Sequence, residues 1–107
     1  MAAINMNQEQ FIKALEGDGI LLVDYWAPWC GYCRRIGPAY EKIAQQYGDK
    51  LLVAKVNIDE EAALAQREAI EVIPTLVLYR AGKAIGSVVA PESKAAIDAF
   101  IQRTLEE

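Results

Sequence analysis

Ile20-Leu21-Leu22-Val23-Asp24-Tyr25-Trp26-Ala27-Pro28-Trp29-Cys30-Gly31-Tyr32-Cys33 is the stretch on which the reading of this chain turns. Its first half, Ile20 to Trp26, is a near-continuous apolar run, the pattern of a strand covered on both faces. From Gly31 the period changes. Ile36, Tyr40, Ile43 and Tyr47 recur at helical spacing until Gly48-Asp49 closes the segment. Pro38 inside this helix removes one backbone hydrogen bond and is expected to kink the axis. Both cysteines therefore stand where a buried strand gives way to a helix, at the C-terminal edge of a sheet, where α/β folds place their sites.

Working outward, the chain alternates between the same two patterns. Ala2 to Asn5 reads as a short edge strand. Asn7 offers an N-cap with Gln10 three residues on, ahead of Phe11, Ile12 and Leu15 on one helical face, and Gly17-Asp18-Gly19 breaks that helix. Leu51 to Ile58 is a second buried strand. Glu60 to Glu68 is Ala-rich and helical, with acidic residues at its start where they suit the helix dipole. Thr75 to Arg80 makes a further strand, and Ala81-Gly82-Lys83 reads as a hairpin turn into Ala84 to Val89. The last element is a helix capped by Ser93 that buries Ile97, Phe100, Ile101 and Leu105. The order β-α-β-α-β-α-β-β-α implies an α/β fold: a central mixed sheet flanked by helices on both faces.

The whole chain, 1–107, suits one domain, and 53% apolar residues supply a core without staples. A net charge of −4 with scattered basic residues argues against nucleic acid and against an anionic membrane surface. No apolar stretch approaches the roughly 20 residues needed to span a bilayer. The N-terminal residues lack the basic start and apolar run of a secretory signal, so the expected location is cytoplasmic. Histidine is absent, which removes the commonest general base and metal ligand. Two thiols alone do not make a structural zinc site, so no metal is expected. A structural bridge across so short a loop would constrain the unfolded chain little. Two cysteines at this spacing in a cytosolic chain read first as redox chemistry.

The placement of the pair explains how. Cys30 falls at the helix cap, where the amides of Tyr32 and Cys33 can point at its sulfur. Orphan N–H groups and the positive end of the helix dipole favour a thiolate there. Cys30 is thus expected to be the exposed attacking thiol, and Cys33, one turn in, the more buried second thiol. The plain alternative, two small buried hydrophobes, sits poorly with flanks as particular as these.

The chain resembles the thioredoxin family over essentially its whole length. Val23 to Cys33 looks like the family's active-site strand and helix start. Val53-Ala54-Lys55-Val56-Asn57-Ile58-Asp59 looks like its next strand, Ile73-Pro74-Thr75 like its cis-proline loop, and Gly82-Lys83 matches its hairpin turn. The resemblance implies the thioredoxin fold and a protein-disulfide reductase that needs no cofactor beyond a redox-active Cys30–Cys33 disulfide. Cys30 attacks a substrate disulfide and Cys33 resolves the mixed disulfide. Disulfide-containing proteins would be its substrates, a thioredoxin-reductase-like or other electron donor would reset it, and it would act as a monomer. Asp24 interrupts an apolar strand, where burial should raise its pKa, so that it can take the Cys33 proton. Lys55 interrupts the neighbouring strand, and the resemblance pairs it with Asp24; a polar strand end or a snorkelling side chain is the plain alternative for each. Trp26 and Trp29 are expected to flank the dithiol, one shielding it and one meeting partners, with a plain core role the alternative for Trp26. The cis-proline loop packs over the dithiol, and Ile73 before it pairs with substrate backbone like an added strand.

The chain departs from the family at several points. Tyr32 stands where thioredoxins usually have proline, which frees one more N–H for the thiolate. That predicts a more oxidising pair and keeps an oxidase or isomerase reading open. Arg34 and Arg35 either add to that stabilisation or form a solvated helix face. Val72 and Glu71 before the proline loop, and Ala90 in place of a usual glycine, predict a tighter groove and a narrower partner set. A non-catalytic binding subunit, or a dimer bridging an iron–sulfur cluster, is the remaining class.

Overall fold

The computed structural model describes residues 2–106, and the elements follow the alternation of the sequence. In chain order they are β1 (Ile4–Asn5), α1 (Gln8–Leu15), β2 (Ile20–Trp26), α2 (Gly31–Tyr47), β3 (Leu52–Asn57), α3 (Ala62–Arg67), β4 (Thr75–Arg80), β5 (Lys83–Val89) and α4 (Lys94–Glu106). The five strands form one sheet in the order β1-β3-β2-β4-β5. β2 lies in the middle, parallel to β3 and antiparallel to β4, so the sheet is mixed.

Alternation along β2 assigns the two layers. Leu22 joins Leu76 and Leu78 against Ile36, Tyr40 and Ile43 of α2 and Ile97, Phe100 and Ile101 of α4. Leu21, Val23 and Tyr25 point the other way, onto Phe11 of α1 and Leu64 of α3 with Val56, Val77 and Tyr79. Each of these large apolar side chains, once fully buried, contributes about 1.5–3 kcal/mol. Residues 24 and 26 share the face of Leu22, and that face carries α2. Asp24 on β2 thus lies on the face that α2 covers.

Local signals hold most ends. Asn7 and Gln10 form a reciprocal capping box on α1, with both hydrogen bonds at 2.8 Å. Ser93 caps α4 through the Ala96 amide at 3.1 Å. Ala81 and Gly82 both take positive φ, as a two-residue type I′ hairpin requires, and a Cβ on Gly82 would meet the Leu15 carbonyl oxygen at 2.9 Å. α2 runs 17 residues through Pro38 without a break.

The structure corrects several boundaries. β1 is only Ile4–Asn5, because the Ala3 amide turns to the Glu41 carboxylate of α2 instead. β3 begins at Leu52, since the Leu51 amide closes the end of α2 on the Tyr47 carbonyl. α3 starts at Ala62, not Glu60: Asn57 accepts the Asp59 amide through its side chain and the Glu61 amide through its carbonyl, and that turn occupies the residues between. Ile12 is exposed, one residue round from the buried face of Phe11, Ala14 and Leu15. In α4 Thr104 takes the buried place expected of Leu105, packing over Gly86, while Leu105 is half-buried.

Candidate active site

Cys30 is the N-cap of α2: its backbone is extended, its carbonyl accepts the Arg34 amide at 3.2 Å, and its Sγ accepts the Cys33 amide at 3.2 Å. The two sulfurs are joined in a disulfide, with Cα atoms 5.2 Å apart. Cys30 is 9% exposed and Cys33 4%, so the expected order of burial holds, although Cys30 shows less surface than an exposed thiol was expected to. Among the described residues the hydrogen bond to Cys30 Sγ comes from Cys33 alone.

Around the pair, Trp26, Tyr32, Ile58 and Ile73 pack against a small cluster of Ala27, Cys30 and Cys33. Trp26 is half-buried and packs on the dithiol cluster, while Trp29 is 65% exposed. Gly31, at the first turn of α2, is exposed. The Ile73–Pro74 peptide is cis, and Ile73 packs against the dithiol cluster. Pro74 and Thr75 are buried, and Thr75 ties the loop by donating its hydroxyl to the Val72 carbonyl at 2.6 Å. The Pro74 carbonyl accepts the Ala90 amide at 2.9 Å, so the turn before α4 is fastened to the proline loop. Val72, 52% exposed, borders the same loop.

On β2, Asp24 is 1% exposed and pairs in register with Lys55 of β3, so both side chains rise from the same face. Among the described residues no group donates to Asp24 Oδ1. Burial pushes its carboxyl up from 3.8 to about 7, against a partial opposing pull from the Lys55 ammonium. Lys55 Nζ lies 4.5 Å from the centre of the Trp26 ring, a cation–π contact. Tyr40, fully buried, donates its hydroxyl to the Ala54 carbonyl at 2.6 Å; desolvation and then the Asp24 charge raise its pKa well above the ordinary value.

Two site contacts had no sequence signal. Trp29 donates its indole N–H to both carboxylate oxygens of Asp59, at 3.0 and 3.2 Å, which orients the exposed ring from a different loop. Tyr32 reaches with its hydroxyl to the carbonyls of Pro91 at 3.0 Å and Ala90 at 3.4 Å. Arg34 folds back to the Pro28 carbonyl at 2.6 Å, fixing the turn before Cys30.

A disulfide spanning two residues at a helix N-terminus, just past the central strand of a mixed sheet that buries a carboxyl pushed up to about 7, defines the class: a thiol–disulfide oxidoreductase. The comparisons place it further. The thioredoxin family model matches residues 2–103, and the chain belongs to the thioredoxin family. The thioredoxin of Alicyclobacillus acidocaldarius is 34% identical over 98% of this chain and 100% of its own length. That of Acidithiobacillus ferridurans is 48% identical over 79% of each chain. The crystal structure of Malassezia sympodialis thioredoxin superposes with a TM-score of 0.86 at 34% identity, covering 97% of this chain and 95% of that one. The fold is the thioredoxin fold, and the protein is a disulfide reductase whose redox centre is its own cysteine pair. Membership implies protein disulfides as substrates and a reductase-type electron donor. Among the described residues no helix is long and apolar enough to cross a membrane.

Proposed function

We propose that Cys30 is the attacking thiol, Cys33 the resolving thiol and Asp24 the proton acceptor for Cys33. The observation that carries this reading is the cap geometry: Cys30 stands at the helix N-terminus with its Sγ accepting the Cys33 amide, and it is the less buried of the two cysteines. In the reduced protein the Cys30 thiolate attacks one sulfur of a substrate disulfide, forming a mixed disulfide and expelling one substrate thiolate. Cys33 gives its proton to Asp24 and attacks Cys30 Sγ. The second substrate thiolate leaves, and the Cys30–Cys33 disulfide remains. Two electrons pass from the protein dithiol to the substrate, and an electron donor returns the pair to its starting state.

A carboxyl titrating near 7 holds and releases a proton at neutral pH, which is what this step asks of it. Ile73, Pro74 and Thr75 of the proline loop, with Ala90, form the substrate face, and Gly31, Tyr32, Trp29, Trp26 and Lys55 support the pair. We further propose that the chain works as a single-domain monomer in the cytoplasm, without nucleic acid or membrane as a partner. Supporting this are the scattered charge and the use of its only two cysteines in one redox pair.

The test is insulin reduction coupled to dithiothreitol, run beside oxidative refolding of a reduced protein. Wild type is expected to accelerate insulin reduction, and Cys30→Ser and Cys33→Ser are each expected to abolish it. Faster refolding than reduction would favour the oxidase instead. Asp24→Asn is expected to slow reduction at neutral pH; a full rate would remove Asp24 from the proton step.

A further inference from the structure

Tyr32 fills the place where proline is usual in this family, and it does more there than extend the helix start. Its ring is half-buried and packs both on the dithiol cluster and on the core between the sheet, α2 and α4. Its hydroxyl lies 3.0 Å from the Pro91 carbonyl and 3.4 Å from that of Ala90. Ala90 is itself held at φ +47, a left-handed backbone that a residue with a Cβ adopts only when its surroundings fix it, and its amide is bonded to the Pro74 carbonyl at 2.9 Å. Three loops around the sulfurs are thus linked in one line: the active-site turn through Tyr32, the turn before α4 through Ala90 and Pro91, and the proline loop through Pro74.

We propose that the Tyr32 hydroxyl is a latch across the substrate groove, a specificity-determining contact for disulfide reduction. With the latch closed, the ring and the 90–91 carbonyls wall off one flank of Cys30. A substrate segment then reaches the sulfur along Ile73 from the open flank, where Trp29 and Val72 are exposed. Narrow disulfides reach Cys30 regardless, whereas a folded protein disulfide with bulk on the walled side must open the latch first. The inference rests on the reductase reading, and wild-type turnover in the same assay tests that reading by itself.

Tyr32→Phe removes the hydroxyl and keeps the ring and the backbone amide. The readout is kcat/KM for insulin divided by kcat/KM for bis(2-hydroxyethyl) disulfide. Breaking one neutral hydrogen bond is expected to raise this ratio about three- to tenfold, mostly through KM for insulin. Tyr32→Ala, which also removes the ring, is expected to raise it further. The dithiol equilibrium with glutathione, measured for each variant, reports any change in redox poise, which would move both substrates together. A ratio that stays constant, falls, or changes only in step with the glutathione equilibrium overturns the latch. Failure of wild type to reduce either disulfide would instead overturn the reductase reading, and the latch with it.

Discussion

Replacing Asp24 with asparagine keeps the shape of the side chain and removes its charge, so it isolates what the buried carboxylate does to the fold. The folded protein holds this carboxyl at about 7 against an ordinary 3.8, with burial as the main cause. A raised carboxyl pKa means that the folded state binds the proton more tightly than the unfolded chain does. The stabilising contribution is complete below about pH 4, declines as pH rises, and is gone above about pH 8. The gap between 3.8 and about 7, at about 1.4 kcal/mol per pH unit, amounts to about 4 kcal/mol over that range. About 3 kcal/mol of it falls between pH 5 and pH 8.5, a window accessible to equilibrium measurement. Asp24→Asn lacks this loss. Guanidinium melts of both proteins at about pH 5, 7 and 8.5 should therefore show the variant gaining on wild type as pH rises, by about 3 kcal/mol in all. A difference between the two that stays flat across this window would refute the raised pKa and, with it, the proton role assigned to Asp24.

Other substitutions probe contacts away from the dithiol. Tyr25 donates to the Tyr79 oxygen and Tyr79 to Glu68, at 2.7 and 2.8 Å, in a buried chain on the α1/α3 face. Tyr79→Phe strands the fully buried Tyr25 hydroxyl and is expected to destabilise by about 1–3 kcal/mol, against about 0.5–1.5 for Tyr25→Phe, which leaves Tyr79 bonded to Glu68. Equal losses in thermal melts would contradict this donor order. Gly82→Ala puts a Cβ 2.9 Å from the Leu15 carbonyl oxygen at φ +81 and is expected to lower stability by about 1–3 kcal/mol in urea melts. At Ala69 the helix end already carries φ +58, with the Ile70 amide on the Ala65 carbonyl, so Ala69→Gly is expected to stabilise by about 0.5–1 kcal/mol in the same melts.

Much of this molecule is legible in its sequence because the signals are local. The apolar run of β2, the helical spacing of Ile36, Tyr40, Ile43 and Tyr47, and the capping box at Asn7 each depend on a few adjacent residues, and each is where the sequence put it; the hairpin turn is too, except that Lys83, read as part of the turn, opens β5. The position of Cys30 at the helix cap follows from the same reading. Details set by distant parts of the chain are not legible. Leu105 and Thr104 are neighbours on one helix, and only the space left by Gly86 decides which of them is buried. Glu60 has the composition of a helix start, but the hydrogen bonds of Asn57 claim the chain first. Trp29 with Asp59, and Tyr32 with Ala90 and Pro91, meet across loops far apart in sequence. Tyr32 as a residue drew attention by departing from the family's proline. What it touches is a tertiary fact.

The division of labour between the two sulfurs is the claim on which the account stands. Trapping tests it directly: reduced Cys33→Ser and reduced Cys30→Ser are each mixed with a substrate carrying a single activated disulfide, and the products are weighed by intact mass spectrometry. Cys33→Ser is expected to accumulate a stable mixed disulfide through Cys30, because the group that would resolve it is gone, while Cys30→Ser remains essentially unmodified over the same time. Equal trapping by the two variants, or faster trapping through Cys33, would contradict the assignment.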